Sequence, residues 1–152
     1  MTIRNAISSD FKFISEISDS IYKSMKNTAL FNWPSNVIIQ ELEYAITLVI
    51  EENGEIVSFV CYRDLPDFYE VSALATRILY QKNNYQSLLI HYLQELAAKQ
   101  RKSVILEVHQ ENTPAKHLYQ KMGFILVNSR LHYYSDKANA LVMKWDSHKA
   151  GC

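Results

Sequence analysis

The chain has 152 residues, of which 48% are hydrophobic and 21% are charged, the balance of an ordinary globular protein. Lysine plus arginine and aspartate plus glutamate number 16 each, so no net field favours nucleic acid or an anionic membrane as a partner. The first residues lack the apolar core of a signal peptide, and no stretch approaches ~18 uninterrupted apolar residues, so we expect neither export nor a membrane partner.

Cysteine, glycine and proline are sparse and indicate the domain organisation. Cys61 lies in an apolar run and Cys152 at the last position, which does not indicate a disulfide framework and fits a reducing, cytoplasmic setting. Three glycines, three prolines and no low-complexity tract leave no obvious linker. We therefore expect one domain over residues 1–146 and a disordered tail over residues 147–152.

Apolar residues recur with helical or strand periodicity along most of the chain. For example, Asn53-Gly54 separates two β-rich runs, which predicts a type I′ hairpin. In chain order, we predict a strand at 3–6, helices at 14–25 and 37–44, strands at 47–52, 55–62 and 71–76, a helix at 88–100, a strand at 104–108, a helix at 115–122, and strands at 124–127 and 140–145. The order β-α-α-β-β-β-α-β-α-β-β predicts an α/β fold in which helices flank a mixed sheet.

Glu107 lies near the end of the predicted strand at 104–108, on the same face as Ile105 and His109. Most charged side chains are exposed, so periodicity alone favours a solvated glutamate, or one bonded to neighbouring backbone amides. If the side chain is instead partly buried at the mouth of a cleft, burial favours its neutral form, which suits a general base. The residues alone leave both interpretations open.

Tyr119 shares a predicted helix face with Ala115, Leu118 and Met122, a pattern that by itself favours a core tyrosine. The helix is preceded by Asn112-Thr113-Pro114. We expect Thr113 to be the N-cap, Pro114 the first helical residue, and Asn112 to lie just outside the helix. Capping alone explains these three residues.

The segment from Val104 to Phe124, VILEVHQENTPAKHLYQKMGF, resembles the C-terminal half of the Gcn5-related N-acetyltransferases (GNAT), which transfer acetyl groups from acetyl-CoA to amines. It is most similar to the ribosomal-protein-alanine N-acetyltransferase branch, which acetylates protein N-termini and in which LEV, Asn, Ala, LY and GF recur in this order. Tyr133-Tyr134 and the strand at 140–143 match the same branch, and looser similarity extends from Ile3 to about Met143. The resemblance implies a single domain whose mixed sheet splays open to admit the cofactor.

The resemblance also implies roles in the reaction. Glu107 would deprotonate the acceptor amine, directly or through water, with Glu70 as a backup base or simply an exposed carboxylate. Tyr119 would protonate the departing CoA thiolate. Tyr133 and Tyr134 match a pair that lines the acceptor groove, but they could equally be strand aromatics packed against the sheet. On a strand, only one of the two could face the groove. A protein N-terminus is the suggested acceptor; a polyamine, an amino sugar or an antibiotic stays open.

One expected motif departs from the family pattern. At the phosphate-binding turn the family has Gln or Arg, two residues, Gly, one residue, and Gly or Ala, followed by a helix N-terminus that binds the pyrophosphate. Here Gln81 and Lys82 fit, but Asn84 and Gln86 replace the glycines. Asn tolerates a positive φ at a cost of ~1 kcal/mol, whereas the longer Gln86 side chain must either turn outward or donate its amide to phosphate.

The altered turn supports a second hypothesis, a degenerate GNAT-fold binding module with weak or no CoA binding. Under the leading hypothesis, the residues that the resemblance assigns to acetyl-CoA are Leu74, Thr76, Gln81, Lys82, Asn83, Asn84, Gln86, Ser87, Asn112 and Tyr119. Nucleophile-elbow, Walker-type, Cys-x-x-Cys and His-Glu-x-x-His motifs are absent, and the five histidines are scattered, so we expect no metal.

Overall fold

The structure, a computed structural model, describes residues 1–147. In this part of the chain, helices pack on both faces of a seven-stranded sheet. Its strands are β1 (Thr2–Asn5), β2 (Ile46–Glu52), β3 (Glu55–Asp64), β4 (Phe68–Thr76), β5 (Ser103–His109), β6 (Ile125–Arg130) and β7 (Ala140–Asp146). Its helices are α1 (Phe11–Ser24), α2 (Ser35–Tyr44), α3 (Tyr85–Lys99) and α4 (Thr113–Lys121), with short 3-10 turns at Ser8–Asp10, Thr28–Leu30 and Ile78–Tyr80. Of the tail expected at 147–152, only Ser147 is described, and the remaining residues lie outside the described part.

The predicted order of strands and helices is confirmed, and the hairpin has the expected turn. Asn53 and Gly54 have φ values of 51° and 79°, the left-handed conformation that both central residues of a type I′ turn require.

At the N-terminus of α4, the predicted N-cap was wrong by one residue. Asn112, not Thr113, is the N-cap, because its side chain accepts a hydrogen bond of 3.3 Å from the Ala115 N–H.

The strands lie in the order β1-β2-β3-β4-β5-β7-β6, and β4 and β5 are the parallel pair. These two strands pair at three positions, of which Glu70 with Ile105 is the last. Beyond that point, residues 71–76 of β4 and 106–109 of β5 have no register partner in each other. The sheet therefore splays open between its two central strands, as the resemblance implied.

A bulge in β4 changes which side chains face which side of this opening. Ala73 pairs with Cys61 and Val71 with Tyr62, so Ser72 is the extra residue. Past the bulge, Ala73 and Ala75 pack with the core formed by α1 and α2, whereas Leu74 packs with the core formed by α3 and α4.

Buried apolar stripes hold the helices against the sheet. On α1, Ile14, Ile17 and Ile21 are buried at the spacing that the sequence predicts, and on α3 Leu89 and Leu93 are fully buried. Each such side chain contributes about 1.5–3 kcal/mol relative to an exposed one. Within residues 1–147, no helix combines the length and the apolar composition that crossing a membrane requires.

Candidate active site

The splay between β4 and β5 opens into a cleft of about 1160 Å³. Its walls come from both central strands, the α1–α2 loop, the N-terminus of α3, helix α4 and the β6–β7 loop. The predicted site residues that line it are Glu70, Leu74, Thr76, Gln81, Lys82, Asn84, Gln86, Ser87, Glu107, Asn112, Tyr119, Tyr133 and Tyr134. One opening thus brings together nearly all the side chains that the sequence singled out.

Tyr119 enters the cleft from α4, on the sheet face that α3 and α4 cover. It is 8% exposed, and its ring packs against Phe124 with centroids 5.8 Å apart. Burial, with a smaller contribution from Tyr134, raises the pKa of Tyr119 to about 12. Within residues 1–147 its hydroxyl makes no hydrogen bond, so this core tyrosine also presents an uncommitted proton donor.

Glu107 approaches from the opposite sheet face, since its neighbours Leu106 and Val108 point into the core beneath α3 and α4. Its side chain is 31% exposed, so it is neither fully solvated nor buried. Arg130 Nη1 donates to Glu107 Oε1 at 2.5 Å, and this hydrogen bond raises the pKa of Arg130. Among the described residues, Glu107 Oε2 has no hydrogen-bond partner, so one carboxylate oxygen is held and the other is available.

Tyr133 and Tyr134 lie in the β6–β7 loop rather than on a strand, so the expectation that only one could face the groove was wrong. The Arg130 guanidinium lies 4.3 Å from the centroid of the Tyr133 ring, a cation–π contact. Tyr133 meets Tyr134 edge-on with centroids 5.2 Å apart. Burial raises the pKa of Tyr134 to about 12, so its hydroxyl stays protonated near neutral pH.

Glu70 lies at the last paired position of β4, where the splay begins, and lines the cleft. Within the described chain it makes no hydrogen bond or ion pair with another side chain. The adjacent bulge is held by α2, because Ser72 Oγ donates to Glu41 Oε2 at 2.7 Å while Arg63 Nη2 donates to Glu41 Oε1 at 2.6 Å. Sequence reasoning missed this buried carboxylate, which no motif marks.

The turn before α3 has an unusual backbone for a segment without glycine. Lys82 and Asn84 have φ values of 67° and 64°, and Asn84 is the N-cap of α3. No side chain caps this helix, so its first N–H groups are free to bind an anion. Asn83 is the one predicted residue that does not line the cleft, and its amide donates to the Tyr80 and Gln81 carbonyls instead.

Comparisons with known proteins agree with this architecture. The model of the acetyltransferase (GNAT) family matches residues 6–124. The chain belongs to this family. The ribosomal protein bS18-alanine N-acetyltransferase of Haemophilus ducreyi is 27% identical over 148 residues, covering 93% of this chain and 97% of that protein. The N-alpha-acetyltransferase of Sulfurisphaera tokodaii is 31% identical over 143 residues, covering 82% and 84%.

A solved structure shows the same fold. The ribosomal-protein-S18-alanine N-acetyltransferase from Escherichia coli superposes with a TM-score of 0.81 at 21% identity, covering 95% of this chain and 92% of that one. The family match and the named relatives show that this GNAT protein is an acetyl-CoA-dependent N-acetyltransferase, and they do not favour the alternative of a degenerate binding module.

The GNAT cleft offers groups that fit acetyl-CoA. Asn84 lies where the family motif has glycine and takes a left-handed conformation, and no side chain caps α3, so the first N–H groups of this helix are free for an anion such as a phosphate. Beyond Glu70 the β4 edge facing β5 lacks ladder partners, which leaves backbone groups near Leu74 and Thr76 for the acyl end. The Thr76 hydroxyl is bonded to Ser58 Oγ at 2.9 Å, and the Thr76 carbonyl oxygen accepts a hydrogen bond from Gln81 Nε2 at 3.3 Å, so neither of these two groups is free for this purpose.

Proposed function

We propose that this N-acetyltransferase acetylates the α-amino group of a protein N-terminus in the cytoplasm, with Glu107 as the base and Tyr119 as the acid. The relatives support the acceptor, since one is named for the alanine of ribosomal protein bS18 and another as an N-alpha-acetyltransferase. The observation that carries the proposal is that Glu107 and Tyr119 enter one cleft from opposite faces of the splayed sheet.

On the acceptor side, Glu107 receives the proton of the incoming ammonium group. An α-amino group has a pKa near ~8, so a weak base is sufficient near neutral pH. Arg130 fixes Oε1 and leaves Oε2 for the amine or for a bridging water. Glu70, Tyr133 and Tyr134 line the same side and contact the acceptor chain.

On the cofactor side, the residues bind the diphosphate of acetyl-CoA and orient its acyl group. The α3 N-terminus, with Gln81, Lys82, Asn84, Gln86 and Ser87, binds the diphosphate; Asn83 supports the turn, and Asn112 contacts the cofactor near α4. Backbone groups of Leu74 and Thr76 orient the acyl carbonyl. Acetyl-CoA, when bound, supplies the thioester that the amine attacks, and the Tyr119 hydroxyl gives its proton to the departing sulfur.

The matched substitutions Glu107→Gln and Glu70→Gln test the base. Both keep the shape of the side chain and remove one carboxylate from the same cleft. We expect Glu107→Gln to lower kcat about 100-fold, the usual contribution of a general base, and Glu70→Gln to lower it less than about threefold. Steady-state acetyl transfer to a peptide measures both. The reverse ranking would make Glu70 the base.

A panel of amines tests the acceptor class. The acceptors are a peptide with a free N-terminus and an internal lysine, the same peptide with a blocked N-terminus, and spermidine. Mass spectrometry of the products should find one acetyl group, on the α-amine of the free peptide. Acetylation of the blocked peptide or of spermidine at a similar kcat/KM would contradict the proposal.

A further inference from the structure

A hydrogen-bonded bridge joins the two loops that wall the acceptor side of the cleft. The β6–β7 loop contributes Tyr133 and Tyr134 to the lining, and the α1–α2 loop contributes Phe31 and Trp33. Asp136 lies in the first loop and is the centre of the bridge. None of the sequence motifs pointed to it.

Asp136 accepts hydrogen bonds from three different parts of the chain. Oδ2 accepts from Asn27 Nδ2 of the α1–α2 loop at 2.8 Å and lies 2.7 Å from His109 Nε2 at the end of β5. Oδ1 accepts from the Ala138 N–H of its own loop at 3.0 Å. The hydrogen bond from Asn27 is the largest of the effects that lower the pKa of Asp136 to about 2, so this carboxylate is charged at any assay pH.

His109 is fixed in one tautomer by its surroundings. Its Nδ1 accepts from the Glu111 N–H at 3.1 Å, so in the neutral ring Nε2 carries the proton and donates it to Asp136. The ring is 2% exposed and stacks on Tyr134 with centroids 4.8 Å apart. The Glu111 carboxylate is close enough to suggest a metal cluster with His109 and Asp136, but both ring nitrogens already have partners.

We propose that Asp136 is a positioning residue that sets the width of the acceptor groove by tying the β6–β7 loop to the α1–α2 loop. It touches neither the base nor the acid, and it acts through Tyr134, which the His109 ring supports, and through Asn27. This inference rests on the proposed function. Its loss should weaken acceptor binding and leave the chemical step and the cofactor site unchanged, because the α3 turn lies outside the bridge.

The test is a double-mutant cycle on the full chain with Asn27→Asp and Asp136→Ala. Asn27 Oδ1 accepts a hydrogen bond from the Ala29 N–H at 3.1 Å, and the carboxylate that Asn27→Asp introduces would keep an oxygen for this bond. The same substitution would replace the donor to Asp136 by a second carboxylate. We expect each single variant to raise the peptide KM about tenfold or more, the first because like charges are opposed and the second because the bridge is lost. In the Asp136→Ala background, Asn27→Asp should add less than about twofold, since the charge it repels is gone.

Two further measurements distinguish a positioning role of Asp136 from a general loss of folding or activity. The kcat and the KM for acetyl-CoA should stay within about twofold of wild type in every variant, and thermal melting reports whether each variant folds. Glu111→Gln is the matched control, because it removes a neighbouring carboxylate whose side chain is not part of the bridge and should leave the peptide KM unchanged. If Asn27→Asp does not fold, Asn27→Ala, which removes the donor to Asp136, takes its place in the cycle with the same readouts.

Three outcomes would overturn the proposed role of Asp136. They are additive effects of the two substitutions, an unchanged peptide KM, and a fall in kcat accompanied by equal rises in the KM values for peptide and acetyl-CoA. Inactivity of the wild-type protein with every peptide would instead overturn the proposed function, so the two failures are distinguishable.

Discussion

Tyr119, the acid in the proposed function, is also part of the core beneath α3 and α4. In water a phenol is a weaker acid than a thiol by ~1.5 pKa units, so protonating a thiolate would be uphill by about 2 kcal/mol. Burial raises the pKa of Tyr119 to about 12, which widens the difference from the thiol pKa only if the CoA sulfur stays in water. Cys61 shows the effect of burial on a thiol in the same protein, because desolvation raises its pKa to about 12 as well. A CoA thiol in a comparably dry cleft would have a pKa close to that of Tyr119, so the proton transfer would no longer be strongly uphill.

We therefore expect Tyr119→Phe to lower kcat at least ~100-fold while acetyl-CoA binding changes little, because only the proton donor is removed. Steady-state kinetics and a cofactor titration measure the two quantities. Tyr92→Phe is the control, since Tyr92 packs against the same core but does not line the cleft. A near-normal rate for Tyr119→Phe would remove this tyrosine from the mechanism. A fall in wild-type kcat that begins well below pH 10 would also contradict a donor with a pKa of about 12.

The family resemblance singled out Glu107 and Tyr119, but neither it nor the residue pattern indicated the groups that contact them. Arg130 is the last residue of β6, after the polar Asn128 and Ser129, and in the sequence it resembles any exposed arginine. Its meeting with Glu107 depends on β7 lying between β5 and β6, a register that no local pattern encodes. Asp136 and Asn27 are 109 positions apart, which places their contact beyond any periodicity argument.

At the scale of elements, the turn before α3 has a left-handed backbone although it contains no glycine. Asn84 takes a φ of 64°, a left-handed conformation that asparagine adopts at a small cost. Gln86 was the harder residue to interpret, because its side chain lines the cleft. It makes no hydrogen bond within the described residues, so its amide is available to a phosphate.

Gln86→Ala separates the two interpretations of this side chain by the sign of its effect. A hydrogen bond to a charged group contributes about 1.5–3 kcal/mol, so we expect the variant to bind CoA at least about tenfold more weakly. Isothermal titration with CoA measures the change, and Gln40→Ala on the exposed face of α2 is the matched control. Tighter binding by Gln86→Ala would show that the side chain obstructs the phosphates.

At the scale of the whole molecule, the element order was predictable but the shape of the opening was not. Hydrophobic periodicity and the Asn53-Gly54 turn indicate the strands and helices, since these signals are local. The splay instead depends on the three-position pairing of β4 with β5 and on a bulge at Ser72, which has no distinctive sequence. Only the family resemblance implied that the sheet opens there.

The splayed sheet makes one prediction about the molecule as a unit, namely that acetyl-CoA stabilises the fold. The cleft takes its walls from both central strands, α3 and α4, so a ligand bound there contacts elements that separate on unfolding. At 100 times its dissociation constant, a ligand specific to the folded state adds about 2.7 kcal/mol to the free energy of unfolding. For a chain of this size that corresponds to a rise in Tm of about 5–10 °C, measured by thermal melting with and without acetyl-CoA. Tyr119→Phe should show the same rise, because it keeps the binding site, whereas millimolar acetyl-CoA without any rise would return the degenerate binding module to favour.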